Sequence, residues 1–279
     1  MQRHGRELPH PTGTVLLSID CVSANYGGRS AIDSVSLQVS SGQRIAVVGP
    51  NGAGKSTLFK VVAGIHRPTS GTVQVYGSDP GRHVCIAYVE QSADLNGRFP
   101  ATVEDVVAMG GTARVGYFRF LRRFDREIIA AAMDRVSIVD LRRRQIGELS
   151  SGQQQRIFIA RALAQEAELL LLDEPFTGLD ADACEKLEGT LEELGNSVTV
   201  LLATHDLGVA ERMGRVALLN RRLIGFGPAA EVIVADRLTE AYGSNLRRVD
   251  AEGTHYALPD SHCDHALAAQ HIKPRELRR

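Results

Sequence analysis

An α/β core with a helical subdomain inserted in its middle is the fold class that this 279-residue sequence predicts. Three observations carry that prediction. Strand-sized apolar runs fill the first part of the chain. They lapse between about residues 97 and 166, where helical segments continue without them. From Leu169 they return, now alternating with helices.

Taken in order, short β-rich runs broken by turns begin at about Thr14: "VLLSIDCVSANYGG", "SVSLQVSSGQ" and "RIAVVGPNG". The alternation of Val35, Leu37 and Val39 predicts a half-buried strand, and the unbroken "IAVV" predicts one buried on both faces. After Gly54, "KSTLFKVVAGI" fits a helix that stops at Gly64, before "HRPTSG". "TVQVYG" and "CIAYVEQ" read as two more strands. "TVEDVVAMG", "DREIIAAAMDRV" and "QQRIFIARALAQEA" read as the helices of the insertion. "LLLLDEP", "VTVLLATHD" and "RVALLN" are then strands, with "ADACEKLEGTLEEL" a helix between the first two. Residues 1–13 are expected to form a polar, mobile arm and 14–243 the folded unit. Residues 244–279 are a polar, histidine-containing tail with no clear period, and no internal repeat is visible.

With 43% hydrophobic and 23% charged residues and a formal net charge of −1, nothing argues for a basic nucleic-acid surface or a polybasic membrane anchor. Apolar runs such as "VALL" after Arg215 and "ELLLLD" around Leu170 are far short of the roughly 18 residues a membrane helix needs. The N-terminus lacks the apolar stretch of a secretory signal. Cys21, Cys85, Cys184 and Cys263 are widely spaced with no CxxC pair, which suits a reduced cytosol and offers no disulfide framework or zinc ribbon.

"GPNGAGKST" matches G-x-x-x-x-G-K-[ST] and sits between a predicted strand and a predicted helix, the context the motif requires. Its candidate phosphate-binding residues are Gly49, Pro50, Asn51, Gly52, Ala53, Gly54, Lys55, Ser56 and Thr57. The glycines let the backbone wrap closely, so that successive N–H groups point at phosphate oxygens at the positive end of a helix dipole. Lys55 would reach the β- and γ-phosphates and the Ser56 hydroxyl would ligate Mg²⁺. A glycine-rich turn matching by accident is the alternative, and every fixed position being filled in the right context weighs against it. The pattern therefore predicts a nucleoside triphosphate site. Past the four leucines of "LLLLDEP", Asp173 can sit beside that Mg²⁺, and Glu174 can project toward an attacking water as a general base. Taken alone, the same acidic pair could simply end a strand and cap the next helix.

With these motifs in their order, the chain resembles the nucleotide-binding subunit of ATP-binding cassette transporters over nearly all of residues 14–243. The resemblance rests on "GPNGAGKST", Gln91 in "YVEQ", "LSSGQ", "LLLLDEP", "GLD" ending at Asp180, and His205 in "ATHD". It implies a P-loop NTPase (RecA-like) core carrying an antiparallel β subdomain and the inserted α-helical subdomain. It further implies that Tyr26 stacks on adenine and that Gln91 senses Mg²⁺ and the attacking water. His205 would contact the γ-phosphate, and Asp180 would cross to a partner subunit. Ser150 is a natural N-cap for the helix of "QQQRIFIARALAQ", so this helix start offers N–H groups, a hydroxyl and a positive dipole end. In the family that grip, here Ser150, Gly152 and Gln153, closes on ATP held by another subunit, so that two copies sandwich two ATPs head to tail. Ser151 departs from the family's usual glycine, which would weaken closure if the position needs positive φ.

The resemblance also implies separate permease chains, peripheral attachment at the cytoplasmic face of the membrane and, for an importer, an extracytoplasmic solute-binding protein. "FPATVEDVVAMG", "RQIGELSSGQQQRIFIARALAQEAELLLLDEPFTGLD" and "LLNRRLIGFGP" are similar to importers of manganese, zinc or iron. An exporter or a non-metal cargo is the alternative. So is a soluble clamp ATPase, against which the single cassette and the absence of sustained heptads and basic patches speak. A catalytically dead subunit is disfavoured by Lys55, Ser56, Asp173, Glu174 and His205 all being in place. "GYFRFLRRFDRE" gathers Tyr117, Phe118, Phe120 and Phe124 among arginines, which fits either a protein interface or a solvated helix–loop with a few core aromatics. In the tail, His255, His262, Cys263, Asp264, His265 and His271 are metal-capable but lack a recognised spacing, so metal feedback and a plain polar tail both stand.

Overall fold

Apolar alternation builds the outer layer. β1 (Val15–Tyr26) pairs antiparallel with β2 (Arg29–Ser40) on one side and with β4 (Ser70–Val75) on the other. Along β2, Val35, Leu37 and Val39 are buried while Ser34, Ser36 and Gln38 face solvent, as the period of two demands, and Ile32 is buried out of that period across a register shift in the pairing with β1. The computed structural model describes residues 13–26, 28–80, 86–90, 100–115, 123–243, 247–250 and 254–257. For Tyr26, 112–115, Phe124, Asn196 and the segments after 246 it describes the backbone alone.

The central sheet has the order β5 (Ile86–Val89), β6 (Leu169–Asp173), β7 (Thr199–Thr204), β3 (Arg44–Val48), β8 (Arg215–Asn220), β9 (Arg222–Pro228). Its first five strands are parallel and β9 returns antiparallel to β8. Both faces are covered, which is why β6 and β7 are buried at every residue. Parity divides the leucines of β6. Leu169 and Leu171 pack with α1 (Lys55–Val62), through Leu58, Phe59 and Val62, and with the inner face of the antiparallel sheet. Leu170 and Leu172 pack on the opposite side with α5 (Ala181–Glu193) and the inserted helices α2 (Val103–Val115), α3 (Arg123–Arg135) and α4 (Ser151–Ala164). A third cluster joins Val48, Val216 and Leu218 to α6 (Leu207–Met213), α7 (Ala229–Val232) and α8 (Ala235–Tyr242). Because β7 lies between β6 and β3, the carboxyl ends of these three strands converge, the place where open α/β sheets bind ligands.

Several elements exceed the sequence expectations. In β9, Gly225 and Gly227 interrupt any alternation, and its strand form comes from pairing with β8. α8 buries Leu238, Ala241 and Tyr242, an i, i+3, i+4 set too short to stand out against its polar neighbours. The segment after Gly243, read as lacking a period, contains a hairpin of β10 (Arg247–Asp250) and β11 (Thr254–Ala257), with His255 opposite Val249. The expected arm up to residue 12, the aromatics Tyr117, Phe118 and Phe120, the side chain of Phe124, and His262, Cys263, Asp264, His265 and His271 lie outside the described residues.

Candidate active site

The phosphate-loop motif joins β3 to α1 as its strand–turn–helix context predicts. Asn51 and Gly52 are exposed at its tip, Ala53 is buried, and Ser56 and Thr57 lie in the first turn of α1. Gly54 is the N-cap with φ 97°, and a Cβ there would stand 2.5 Å from the Ala31 carbonyl oxygen and from Ile32 Cγ2. No other residue type fits that approach, so α1 starts beneath β2 without a side-chain cap and its first N–H groups are left for a ligand. The Ala53 carbonyl accepts from Arg221 N–H at 2.8 Å, which ties the loop to the β8–β9 turn. Lys55 is buried and its ammonium donates to the carbonyl oxygens of Gly49 (2.7 Å) and Pro50 (3.4 Å).

Asp173 closes β6 on the α1 side of the sheet, the same parity as Leu169 and Leu171. Burial raises its pKa, while the Ser56 hydroxyl and the Tyr88 phenol oppose that rise. Tyr88 donates to Oδ2 at 3.0 Å, and Oδ1 is buried with no hydrogen-bond partner among the described residues. Glu174, the next residue, adopts a left-handed φ of 50°, an uncommon conformation for a non-glycine residue and one that clusters at functional sites. Its Oε1 lies 3.4 Å from Lys55 Nζ and its Oε2 lies 2.8 Å from His205 Nδ1. Burial pushes Glu174 up, but the hydrogen bond with His205 and the Lys55 charge outweigh it and hold the carboxyl below its usual range. The bond to Glu174 in turn raises His205. Lys55, Ser56, Asp173, Glu174 and His205 thus form one connected group.

A second group forms around α4. Ser150 is its N-cap, accepting from Gln153 N–H at 3.3 Å, while the Gln153 side chain accepts from Ser150 N–H at 3.1 Å. This capping box was written in the Ser-x-x-Gln spacing. Gln154 fastens the preceding turn by donating to the carbonyls of Ile146 and Leu149. Ser151 is the first helical residue and is not among the residues with positive φ, so serine costs no backbone strain there. Gly152 is buried, and a Cβ on it would lie 2.7 Å from Ala183 Cβ in α5. Asp180, expected at a partner contact, caps α5 by accepting from Ala183 N–H at 2.8 Å. Gln91 and the side chain of Tyr26 lie outside the described residues.

Tyr88 is the site residue that the sequence reading missed. Its only signal was a tyrosine three positions before Gln91, and its relation to Asp173 depends on the β5–β6 register. For Mg²⁺ the fit is good: an unpartnered buried carboxylate oxygen and a neighbouring hydroxyl are the hard oxygen donors this ion takes.

A family model described as ABC transporter matches residues 32–177. The chain belongs to the ABC transporter family. The manganese transport system ATP-binding protein MntB of Halalkalibacterium halodurans is 42% identical, the match covering 83% of this chain and 93% of MntB. The chelated iron transport system membrane protein YfeB of Yersinia pestis is 41% identical over 85% of this chain and 82% of its own. The zinc uptake system ATP-binding protein ZurA of Listeria monocytogenes is 40% identical over 85% and 95%. Among solved structures, an inward-facing metal-chelate type ABC transporter superposes with a TM-score of 0.76 at 27% identity, covering 88% of this chain and 98% of that one. The dimeric ATP-binding cassette MJ0796 bound to ADP and Pi superposes with a TM-score of 0.65 at 25% identity, covering 77% and 99%. This ABC protein is an ATP-binding, ATP-hydrolysing cassette subunit. No helix among its described residues is long and apolar enough to cross a membrane.

Proposed function

We propose that this ABC ATPase powers import of a divalent metal or metal chelate, two copies closing head to tail on two ATPs beneath separate permease subunits. An extracytoplasmic solute-binding protein would deliver the cargo. The observation that carries the metal assignment is the agreement among relatives about 40% identical over most of the chain, which are named for manganese, chelated iron and zinc.

The site residues have a division of labour in this reading. The N–H groups at the start of α1 and the Lys55 ammonium bind the phosphates, and Tyr26 stacks on the adenine. Ser56 and Asp173 would hold Mg²⁺, which Gln91 would sense. The ion, when bound, neutralises charge on the β- and γ-phosphates. Glu174 orients the attacking water and accepts its proton; a carboxylate held ionised by His205 is suited to that task. His205, bonded to Glu174, would contact the γ-phosphate. Ser150, Gly152 and Gln153 of one copy close on the ATP of the other, with Asp180 alongside.

Cells lacking this protein, analysed for manganese, zinc and iron content, test the cargo. One metal is expected to fall and to be restored by the wild-type chain but not by Glu174→Gln. Unchanged content of all three would overturn metal import.

A further inference from the structure

Tyr88 presents a polar group to the site that the division of labour above does not use. In β5, Ala87 and Val89 face the inserted helices, whereas Ile86 and Tyr88 face the α1 side. β5 pairs in parallel with β6, Tyr88 opposite Leu171, so the phenol reaches along the sheet to the carboxylate two residues beyond its partner. The strand is secured at the same end, since Glu90 pairs with Lys60 of α1 at 2.7 Å.

We propose that Tyr88 is a positioning residue for Mg²⁺. Its hydroxyl occupies Asp173 Oδ2 and fixes the carboxylate rotamer, leaving Oδ1 as the oxygen available to the metal shell. An aspartate with both oxygens unbonded would rotate about χ2 and offer either oxygen, or hydrogen-bond elsewhere. With one oxygen tied, the metal-facing arrangement is set before the metal arrives. The same bond links the position of β5 to the metal ligand. The proposal rests on the assignment of Asp173 to Mg²⁺.

Tyr88→Phe tests it, because the ring and its packing stay while the hydroxyl goes. Thermal stabilisation by a fixed concentration of ATP is titrated with Mg²⁺, and binding of a fluorescent ATP analogue is measured in EDTA. The half-saturating Mg²⁺ concentration is expected to rise about three- to tenfold, the scale of one lost hydrogen bond. The metal-free nucleotide affinity should be unchanged, and the melting temperature without ligands should fall modestly because Asp173 Oδ2 loses its partner, so the Mg²⁺ titration is read relative to each protein's own unliganded value. An unaltered Mg²⁺ requirement in Tyr88→Phe overturns the proposal, provided Asp173→Asn raises that requirement. If Asp173→Asn leaves it unaltered too, the metal assignment of Asp173 is what fails. A double variant adds a further test: if Tyr88 acts through Asp173, removing the hydroxyl from Asp173→Asn changes the Mg²⁺ requirement no further. Full additivity would mean that Tyr88 acts elsewhere.

Discussion

Lys55 Nζ lies 3.4 Å from Glu174 Oε1, so the cation assigned to the phosphates and the carboxylate assigned to the water share one buried contact. ATP must draw Lys55 from that contact toward its own β- and γ-phosphates. Lys55→Ala should weaken ATP binding at least about tenfold, the loss expected for charge-assisted hydrogen bonds. Glu174→Gln, which removes a competitor for the lysine, should bind ATP as tightly as wild type or more tightly. Equilibrium binding of a fluorescent ATP analogue checks both.

The His205–Glu174 pair predicts a pH dependence of stability. His205 is raised in the folded protein, so its contribution is complete below its ordinary value of 6.5 and is lost as pH rises through the folded value. Glu174 is lowered, so its contribution is complete above 4.5 and is lost as pH falls through the folded value. Without nucleotide or Mg²⁺, His205→Ala should therefore cost more melting temperature at about pH 6 than at pH 9. Thermal unfolding of both proteins across that range is the check, and a cost that grew with pH would contradict the pair.

Gly152 has a packing role and a proposed binding role, and they can be separated. Gly152→Ala puts a Cβ against Ala183 and should destabilise the fold by about 1–3 kcal/mol, the usual scale of overpacking. Adding Ala183→Gly makes room and should recover much of the lost stability. ATPase activity should stay low in the double variant if the Gly152 backbone also approaches the partner's ATP. Full recovery of both would leave Gly152 with packing alone.

Ser151 already has helical backbone geometry, so Ser151→Gly relieves no strain. Its effect on the ATPase rate should be below about threefold, a fraction of a kcal/mol. A tenfold gain would mean that the serine impairs closure.

What the sequence disclosed here followed from local chemistry. The glycine and lysine spacing of residues 49–57, the four leucines before Asp173 and the Ser150 cap each act within a few residues, and each took the local structure its spacing predicts. What it concealed depends on register and distant approach. The Tyr88–Asp173 bond spans 85 positions and the Lys55–Glu174 contact joins the start of α1 to the end of β6, while Gly152 owes its need for a missing Cβ to α5. β9 was hidden for a related reason, its glycine-broken run gaining strand form only from β8.

The central claim is that Glu174 acts on water within an ATP-closed pair of subunits. Phosphate release by Glu174→Gln, measured alongside light scattering with Mg²⁺ and ATP, tests it most directly. The account predicts hydrolysis lowered by about 10²–10⁴-fold, the scale of losing a general base, together with a stable ATP-dependent dimer. Hydrolysis near the wild-type rate, or a chain that stays monomeric with ATP bound, would contradict it.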